Sequence, residues 1–320
     1  MIDHVIVMAA APSRKMERLT RSRPVAMLPI LGQPTIAWAM DGYYKAGIRR
    51  FTVVVGEREG SVAEWLFSNW HKDVRLGFAP QGPQRGTAST LYATRSLIDG
   101  PFLITSCDIL LPEEHVEKLA GYFDTHPSDV AALNLFYAPD DISSEANVLL
   151  DPRGNVVYLS EQPTGGHQDN MTALPVYAFT PAILDYLDKV PVLEQSGERA
   201  LAAGIQLMID DHMVVGALET GWRIRVNDPD DLLTANILLM AHDGLPVLNS
   251  PIPPTAKVTP PVHVDAGVMI GAGVSLGPNV YIETGSIIGA NARISESVIL
   301  GVRIGAGQTI HHEVVNRERT

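Results

Sequence analysis

The chain has 320 residues, of which 46% are hydrophobic and 19% charged, a composition typical of folded proteins that bury a sizeable core. The formal net charge of −12 argues against general nucleic-acid binding, which needs an exposed basic surface. The single cysteine, Cys107, excludes an intramolecular disulfide framework and a metal site built from cysteines alone. No signal peptide is visible, and no apolar run approaches the ~20 residues that span a bilayer, so we expect a cytoplasmic protein that does not enter a membrane.

The N-terminal segment combines a predicted strand with a basic loop. Residues 5–8 form an apolar run typical of a buried strand, and five cations follow within ten residues: Arg14, Lys15, Arg18, Arg21 and Arg23. A strand followed by a cationic loop at the carboxyl edge of a sheet is where α/β proteins hold phosphates. The alternative is a basic loop that only faces solvent.

Strand and helix patterns then alternate to about residue 245. Strands are predicted at 51–56, 74–78, 102–105 and 129–137, and helices at 34–47, 61–70, from 86 onward and at 112–125. This alternation predicts an α/β fold, a Rossmann-like and mainly parallel sheet with helices on both faces. Residues 147–162 instead predict a hairpin at one edge of the sheet, which we interpret as a substrate lid.

The last seventy residues carry a six-residue repeat. One aliphatic track runs through Val258, Val264, Ile270, Leu276, Ile282, Ile288, Ile294 and Leu300. A second track, offset by two residues, runs through Val262, Val268, Val274, Val280, Ser286, Ala292, Val298, Ile304 and Ile310. This is the hexapeptide pattern of a left-handed parallel β-helix, here of about three coils. The restart of the pattern four residues after Leu300 predicts a small corner insertion.

These patterns predict two domains, an α/β domain over residues 1–245 and a β-helix over residues 246–320. Exposed coil edges invite pairing or covering, so we expect a homo-oligomer.

The two parts together resemble the sugar-1-phosphate nucleotidyltransferases (nucleotide-sugar pyrophosphorylases) that carry a C-terminal left-handed β-helix. The family signature A-A-G-x-G-T-R-L, P-x-T, P-K-P-L-L-P is matched in spacing by AAAPSRKM at 9–16, RLT at 18–20 and PVAMLP at 24–29. QGPQRGTA at 81–88 resembles the base-reading loop Q-x-x-Q-x-G-T-A. EQP at 161–163 resembles the E-K-P that ends the lid, and 222–236 resembles the segment with the second metal ligand.

The resemblance implies transfer of a nucleotidyl group from a nucleoside triphosphate to a sugar-1-phosphate, with Mg²⁺ as cofactor. The catalytic residues implied are Arg14, Lys15 and Asp108. The nucleotide-binding residues implied are Ala9, Ala10, Ala11, Gln81, Gln84, Gly86 and Thr87. The sugar phosphate falls to Asn147, Glu161 and Gln162, and the metal to Asp108 with either Asn227 or Asp228.

Several functional residues of the family signature are replaced by other residues in this sequence. Ala11 and Ser13 replace its glycines, Lys15 its arginine, and Val25 and Gln162 its lysines. Because removal of one stabilising group commonly costs ~10²–10³ in rate, a catalytically silent nucleotide-binding paralogue is an open alternative. Such a paralogue would be a candidate for hetero-oligomers with an active relative. An acyltransferase using His263 in the β-helix is a third, weaker alternative. Asp108 as a plain helix cap and Gln81 and Gln84 as ordinary loop residues also stay open.

Overall fold

The structure is a computed structural model, and it describes residues 1–10, 15–56, 60–82, 86–137, 146–160, 171–193, 197–243 and 247–316. The chain forms two compact units. The first comprises Met1–Ala11 and Ala39–Arg223, and the second comprises Pro12–Trp38 and Ile224–Thr320. The domain boundary near residue 245 stays a prediction.

Eight α-helices lie in the described part of the chain: α1 Glu17–Thr20, α2 Thr35–Lys45, α3 Gly60–Asn69, α4 Thr87–Ala93, α5 Glu113–Ala120, α6 Tyr122–Thr125, α7 Leu201–Asp210 and α8 Pro229–Asp243. Short 3-10 helices occupy Val25–Met27, Arg95–Leu97, Pro181–Asp185 and Leu187–Lys189. The helix predicted at 112–125 is interrupted at Gly121, because glycine has a low helix propensity. Across the described residues, every helix is too short or too polar to cross a membrane.

The first unit is built on one sheet, with strands β1 His4–Met8, β2 Arg50–Val55, β3 Arg75–Pro80, β4 Phe102–Ser106, β5 Ala131–Tyr137, β6 Ala146–Leu150, β7 Val156–Ser160, β8 Met171–Phe179 and β9 Val215–Glu219. Their order is β7-β6-β8-β4-β1-β2-β3, and β5 pairs with both β8 and β9. The four strands β4, β1, β2 and β3 run parallel, as predicted. A short strand, Ile109–Leu110, follows β4.

Strand β8 makes the sheet mixed, because it runs antiparallel to β4, β5 and β6. The sequence analysis did not predict this strand. Its centre contains Pro175, which has no N–H for a ladder, and the β8–β5 register shifts between Leu174 and Tyr177. The hairpin of β6 and β7 is antiparallel at the sheet edge, as predicted.

Burial of the central strand shows that both faces of the sheet are covered. All five residues of β1 are buried, although neighbouring residues of a strand point to opposite faces. Ile6 and Met8 belong to a core cluster that also contains Leu91 of α4 and Ile205 of α7. The predicted fold class, an α/β sheet domain followed by a β-helix, is confirmed.

The second unit contains a parallel β-helix of three faces. One face has five strands: Val247–Leu248, Val262–Val264, Val280–Ile282, Ser297–Ile299 and Val314–Val315. The second has Lys257–Val258, Ser275–Leu276, Arg293–Ser295 and Thr309–His311, and the third has Met269–Ile270, Ile287–Ile288 and Arg303–Ile304. Every residue of the second predicted track is buried, but Val298 pairs with Tyr281 and faces outward, while its neighbour Ile299 takes the inward position. The prism is longer than the predicted three coils.

The coils after Val262 become shorter toward the C-terminus, and the predicted corner insertion is wrong. Val262 pairs with Val280, 18 residues on, whereas Val280 pairs with Ser297 and Ile288 with Ile304, steps of 17 and 16 residues. One residue is lost at the tight corner of Glu296, where φ is +46°, and another at residues 300–302. The restarted repeat therefore marks shortened corners and not added residues.

The same unit contains the segment that follows β1. Residues 15–38 form α1, a 3-10 turn, a two-stranded hairpin of Pro29–Ile30 with Gln33–Pro34, and the start of α2. The strand Ile224–Arg225 and helix α8 complete the unit, and Asn236 of α8 accepts a hydrogen bond from the Leu31 amide at 3.0 Å. Residues 15–38 and the β-helix thus belong to one compact unit.

Candidate active site

The site begins where β1 and β4 end side by side. Met8 is in register with Ser106, and the Cys107 amide donates to the Met8 carbonyl at 3.0 Å. Residues 9–10 and 107–108 therefore leave adjacent parallel strands at the same carboxyl edge. This is the edge at which open α/β sheets bind ligands.

Asp108 is a half-buried carboxylate with unused hydrogen-bonding capacity. Its Oδ1 accepts a hydrogen bond from the Ser106 hydroxyl, and among the described residues Oδ2 has no partner. Ser106 was missed by the sequence analysis, although its position two residues before Asp108 at a strand end was a usable signal. Cys107 between them is buried, as expected for a small filler.

The donor atoms around Asp108 suit a hard cation. Within the described ranges, no three His, Cys, Asp or Glu side chains cluster so as to hold a metal by themselves. Mg²⁺ is commonly bound through one or two carboxylates, with water and substrate phosphates supplying the other oxygens. One carboxylate with a spare oxygen and a neighbouring hydroxyl fits that requirement, whereas a cage made of protein ligands alone is not present in this part of the chain.

Gln81 and Gly86 lie at the same edge, beyond β3. The Gln81 amide donates to Val55 at 2.8 Å, and its side-chain Nε2 lies 3.4 Å from the Thr90 hydroxyl oxygen in α4. Gly86 has φ of +107°, and a Cβ there would come within 2.3 Å of the Arg199 carbonyl oxygen. Only glycine fits this position, because the backbone is both left-handed and in close contact with another backbone.

Thr87 has a structural role in addition to the predicted one. Its hydroxyl accepts a hydrogen bond from the Leu201 amide at 2.8 Å, and so satisfies a free N–H at the start of α7. The Ala88 amide donates to the Arg199 carbonyl at 3.0 Å. The predicted base-reading loop is therefore fixed to residues 199–201, a contact that the sequence analysis did not predict.

Asn147 is held in the middle of the edge hairpin. It pairs in register with Ser160 of β7 and with Thr172 of β8, and it is half-buried. These contacts fix the position of Asn147 in the sheet. Its role in binding a sugar phosphate, and that of the hairpin as a lid, stay predictions.

The predicted cations of the second unit have different surroundings. Lys15 and Arg18 are exposed, whereas Arg23 forms a two-pronged ion pair with Glu283 of the β-helix, with Nη2 2.9 Å from Oε2. Val25, at the position of a signature lysine, is buried in the 3-10 turn. Arg23 is therefore already neutralised by a protein carboxylate.

The segment around Asn227 forms the cap of α8. The Asp228 carboxylate accepts from the Asp231 amide at 2.9 Å, and Asp231 Oδ2 accepts from the amides of Asn227 and Asp228 at 2.9 and 3.2 Å. This reciprocal arrangement is a capping box. Burial raises the pKa of Asp231 above its ordinary value. One oxygen of Asp228 is thus committed to the helix, which bears on the choice between Asn227 and Asp228 as metal ligand.

Six positions important to the resemblance lie outside the described residues: Ala11, Ser13, Arg14, Gln84, Glu161 and Gln162. Their predicted roles stay predictions. His263, the candidate base of an acyltransferase, has its Nε2 3.1 Å from Asp265 Oδ1.

A carboxylate at a strand end and a loop that requires glycine lie at the carboxyl edge of an α/β sheet, in a chain that also contains a parallel β-helix. Residues 4–238 match the family model described as nucleotidyl transferase, and residues 261–296 match the six-repeat model described as bacterial transferase hexapeptide. The chain belongs to the nucleotidyl transferase family. The hexapeptide match identifies the β-helix as the left-handed type.

Curated relatives and solved structures agree with this assignment. The chain is 26% identical over 235 residues to the bifunctional protein GlmU of Methanocaldococcus jannaschii, an alignment that covers 73% of this chain and 54% of that protein. It is 24% identical to a bifunctional sugar-1-phosphate nucleotidylyltransferase/acetyltransferase of Sulfurisphaera tokodaii, covering 92% and 74% of the two chains. A UDP-glucose pyrophosphorylase complexed with UDP-glucose superposes with a TM-score of 0.68 at 16% identity, over 76% of this chain and all of the other.

The chain spans about half the length of the Methanocaldococcus jannaschii relative. At 16% identity the structural likeness concerns the fold.

Proposed function

We propose that the protein is a sugar-1-phosphate nucleotidyltransferase. A phosphate oxygen of the sugar-1-phosphate attacks the α-phosphorus of a nucleoside triphosphate, the bond between the α-phosphorus and the bridging oxygen breaks, and pyrophosphate leaves. The observation that carries the proposal is the half-buried Asp108 at the carboxyl edge beside β1, whose Oδ2 has no partner among the described residues. Phosphoryl-type transfer asks for positioning and charge neutralisation more than for covalent chemistry by side chains.

Asp108 would hold Mg²⁺, which when bound supplies neutralisation of the triphosphate charge, and the family resemblance alone adds Asn227 or Asp228 as the second ligand. Asp228 accepts a hydrogen bond from the Asp231 amide, which commits one of its carboxylate oxygens to the helix cap. Ser106 orients Asp108 through the hydrogen bond to Oδ1, so that Oδ2 can act as the ligand oxygen.

The backbone after β1 contributes hydrogen-bond donors. The Ala9 amide is taken by the Val54 carbonyl at 2.9 Å, so Ala10 carries the first N–H that is without a partner among the described residues. Phosphate binding at this loop therefore begins at Ala10. Lys15 and Arg18 are exposed and able to approach phosphate oxygens.

Burial of Val25 favours a second candidate, a protein that binds nucleotide or nucleotide sugar without turnover. A valine sealed in the 3-10 turn supplies no charge where the family signature has lysine. Lys15, in place of arginine, keeps a positive charge but lacks the planar fork that binds phosphate through two hydrogen bonds.

Pyrophosphate release from a panel of nucleoside triphosphates and sugar-1-phosphates, with Mg²⁺ and with a chelator, tests the proposal. We expect turnover for at least one pair, abolished by the chelator. If every pair gives only the blank rate, the enzyme proposal is wrong. Calorimetric binding of a nucleotide or nucleotide sugar would then support the silent candidate, and absence of binding would exclude it too.

A further inference from the structure

The basic loop segment, residues 15–34, has little regular structure of its own. It contains a four-residue helix, a three-residue 3-10 turn and a hairpin with two residues per strand. Segments with few internal hydrogen bonds open easily unless other parts of the protein hold them. Contacts with the rest of the second unit therefore decide how well its cations are positioned.

One of these contacts is the ion pair of Arg23 with Glu283. Both guanidinium nitrogens Nη1 and Nη2 donate to the two carboxylate oxygens, an arrangement that fixes direction as well as distance. The Glu283 side chain is 12% exposed and that of Arg23 29%. Loss of either partner leaves a poorly solvated charge, which makes such pairs costly to break.

Glu283 is part of an acidic corner that recurs in the β-helix. Asp265 follows Val264 and Glu283 follows Ile282, and these two preceding residues are paired in register. Asp265 Oδ1 lies 2.8 Å from the place of a Cβ on Gly32, whose φ is +81°. Consecutive coils thus present carboxylates to two points of the loop segment, Gly32 and Arg23.

The outward face of the same coil is covered. Tyr281 lies between two inward-facing residues, so its ring points away from the β-helix interior, yet it is 0% exposed. Burial, with Asp265 and Glu283 nearby, raises the pKa of Tyr281, and its hydroxyl donates to Asp265 Oδ2 at 2.8 Å. Asn316 adds another contact, because its Nδ2 donates to the Arg18 carbonyl at 2.5 Å.

We propose that Glu283 is a positioning residue for nucleotide binding: through Arg23 it holds the basic loop so that Lys15 and Arg18 are set for the phosphates of a nucleoside triphosphate. Phosphate neutralisation needs cations fixed in advance, because a small misplacement sharply lowers the rate. The β-helix thereby serves nucleotidyl transfer without touching substrate. The kinetic part of this inference rests on the proposed function, whereas the anchoring of the loop does not.

Limited trypsin digestion tests the anchoring independently of activity. In Glu283→Gln and Arg23→Gln we expect the rate of cleavage after Lys15, Arg18 and Arg21 to rise about tenfold, measured by mass spectrometry of the released peptides. The control is Glu296→Gln, the same change at a partly exposed β-helix residue whose Oε2 lies 3.6 Å from His312 Nδ1, and this variant should cleave as the wild type does. The double variant should add little to either single variant, because both remove one interaction.

Steady-state kinetics test the positioning. Glu283→Gln should raise the apparent KM for the nucleoside triphosphate about tenfold and change kcat less than threefold, while Glu296→Gln leaves both unchanged. The double variant Arg23→Glu with Glu283→Arg exchanges the two charges and should return the KM most of the way to the wild-type value. A general structural defect would not be corrected by this exchange. Should the single variants fold poorly, Glu283→Asp, which keeps the charge on a shorter stem, carries the same comparison.

Loop cleavage in Glu283→Gln equal to that in Glu296→Gln would overturn the inference. A uniform rise of cleavage along the whole chain would do the same, because it would indicate general destabilisation. If the wild type lacks turnover with every substrate pair, the proposed function fails, and loop cleavage together with the calorimetric Kd for the triphosphate decides the positioning role.

Discussion

Asp108 in the first unit and Asp265 in the second are both sheltered carboxylates at the ends of strands, yet their partners differ. Asp108 accepts one hydrogen bond, from Ser106, and its Oδ2 is without a partner among the described residues. Asp265 is surrounded by His263 Nε2 at 3.1 Å, the Tyr281 hydroxyl at 2.8 Å and the Thr284 amide at 3.3 Å. A carboxylate with spare capacity is suited to a ligand, whereas one whose oxygens are both engaged stabilises the fold.

The largest effect is expected from Asp108→Asn. Turnover should fall by about 10²–10³, because the amide lacks the charge that neutralises a cation or organises the phosphates. The melting temperature should stay at the wild-type value, since only the Ser106 hydrogen bond is altered. Pyrophosphate release and thermal unfolding measure the two quantities. Retention of more than a third of the activity would contradict the difference between the two aspartates.

Asp265→Asn should give the opposite result. The new amide presents a donor to groups that themselves donate, so we expect a loss of about 1–3 kcal/mol in the free energy of unfolding. Urea denaturation gives this value, and Glu296→Gln serves as the control on the same β-helix. Unchanged stability would mean that the three contacts of Asp265 contribute nothing.

The capping box at α8 allows the same comparison between neighbours. Asp228→Ala should reduce the free energy of unfolding by about 1 kcal/mol through loss of a helix cap. Asn227→Ala should lower turnover, because its side chain is the proposed metal ligand. If Asp228→Ala instead abolishes turnover without loss of stability, the assignment of the two residues must be exchanged.

The smallest effect concerns His4, a buried residue whose ring nitrogen Nε2 lies 2.9 Å from the Thr52 hydroxyl oxygen. Burial, with Arg50 adding to it, lowers the pKa of His4 from 6.5 to about 4. Between these values the unfolded chain binds more protons than the folded one, so stability falls as pH falls through that window.

Unfolding free energies measured from pH 7 to pH 4 check this prediction. His4→Asn should show a shallower pH dependence than the wild type. His212→Asn, a change at an exposed histidine with a left-handed backbone that asparagine tolerates, should not alter it. Equal slopes in all three proteins would argue against a neutral buried His4.

Local patterns predicted most of the fold because their causes are local. The apolar runs of β1, β2 and β4 and both tracks of the β-helix follow from side-chain periodicity and strand burial. Strand β8 was missed since Pro175 interrupts its ladder pattern and its neighbours β4 and β6 run in the opposite direction. The shortened coils were mistaken for an insertion, because a shift in the phase of the repeat can arise either from added residues or from removed ones.

Motif spacing selected the candidate site residues but did not predict their contacts. Asp108 and Gly86 came from motif spacing, whereas the hold of Arg199 on Gly86 and of Glu283 on Arg23 joins residues far apart in sequence. Such pairs depend on three-dimensional packing that a single sequence does not encode in a readable pattern. The large separation of Arg23 and Glu283 in the sequence also explains why Arg23 was counted among the cations of the predicted phosphate-binding loop.

The separation of Arg23 from Glu283, 260 residues along the chain, has a consequence for how the protein is made. A ribosome adding ~5–20 residues per second needs roughly 13–50 s between these two positions. During that interval residues 15–34 lack the carboxylates of the β-helix against which they finally rest. The basic loop should thus acquire its native conformation only after the repeats have folded, which makes the first functional segment to be synthesised one of the last to mature.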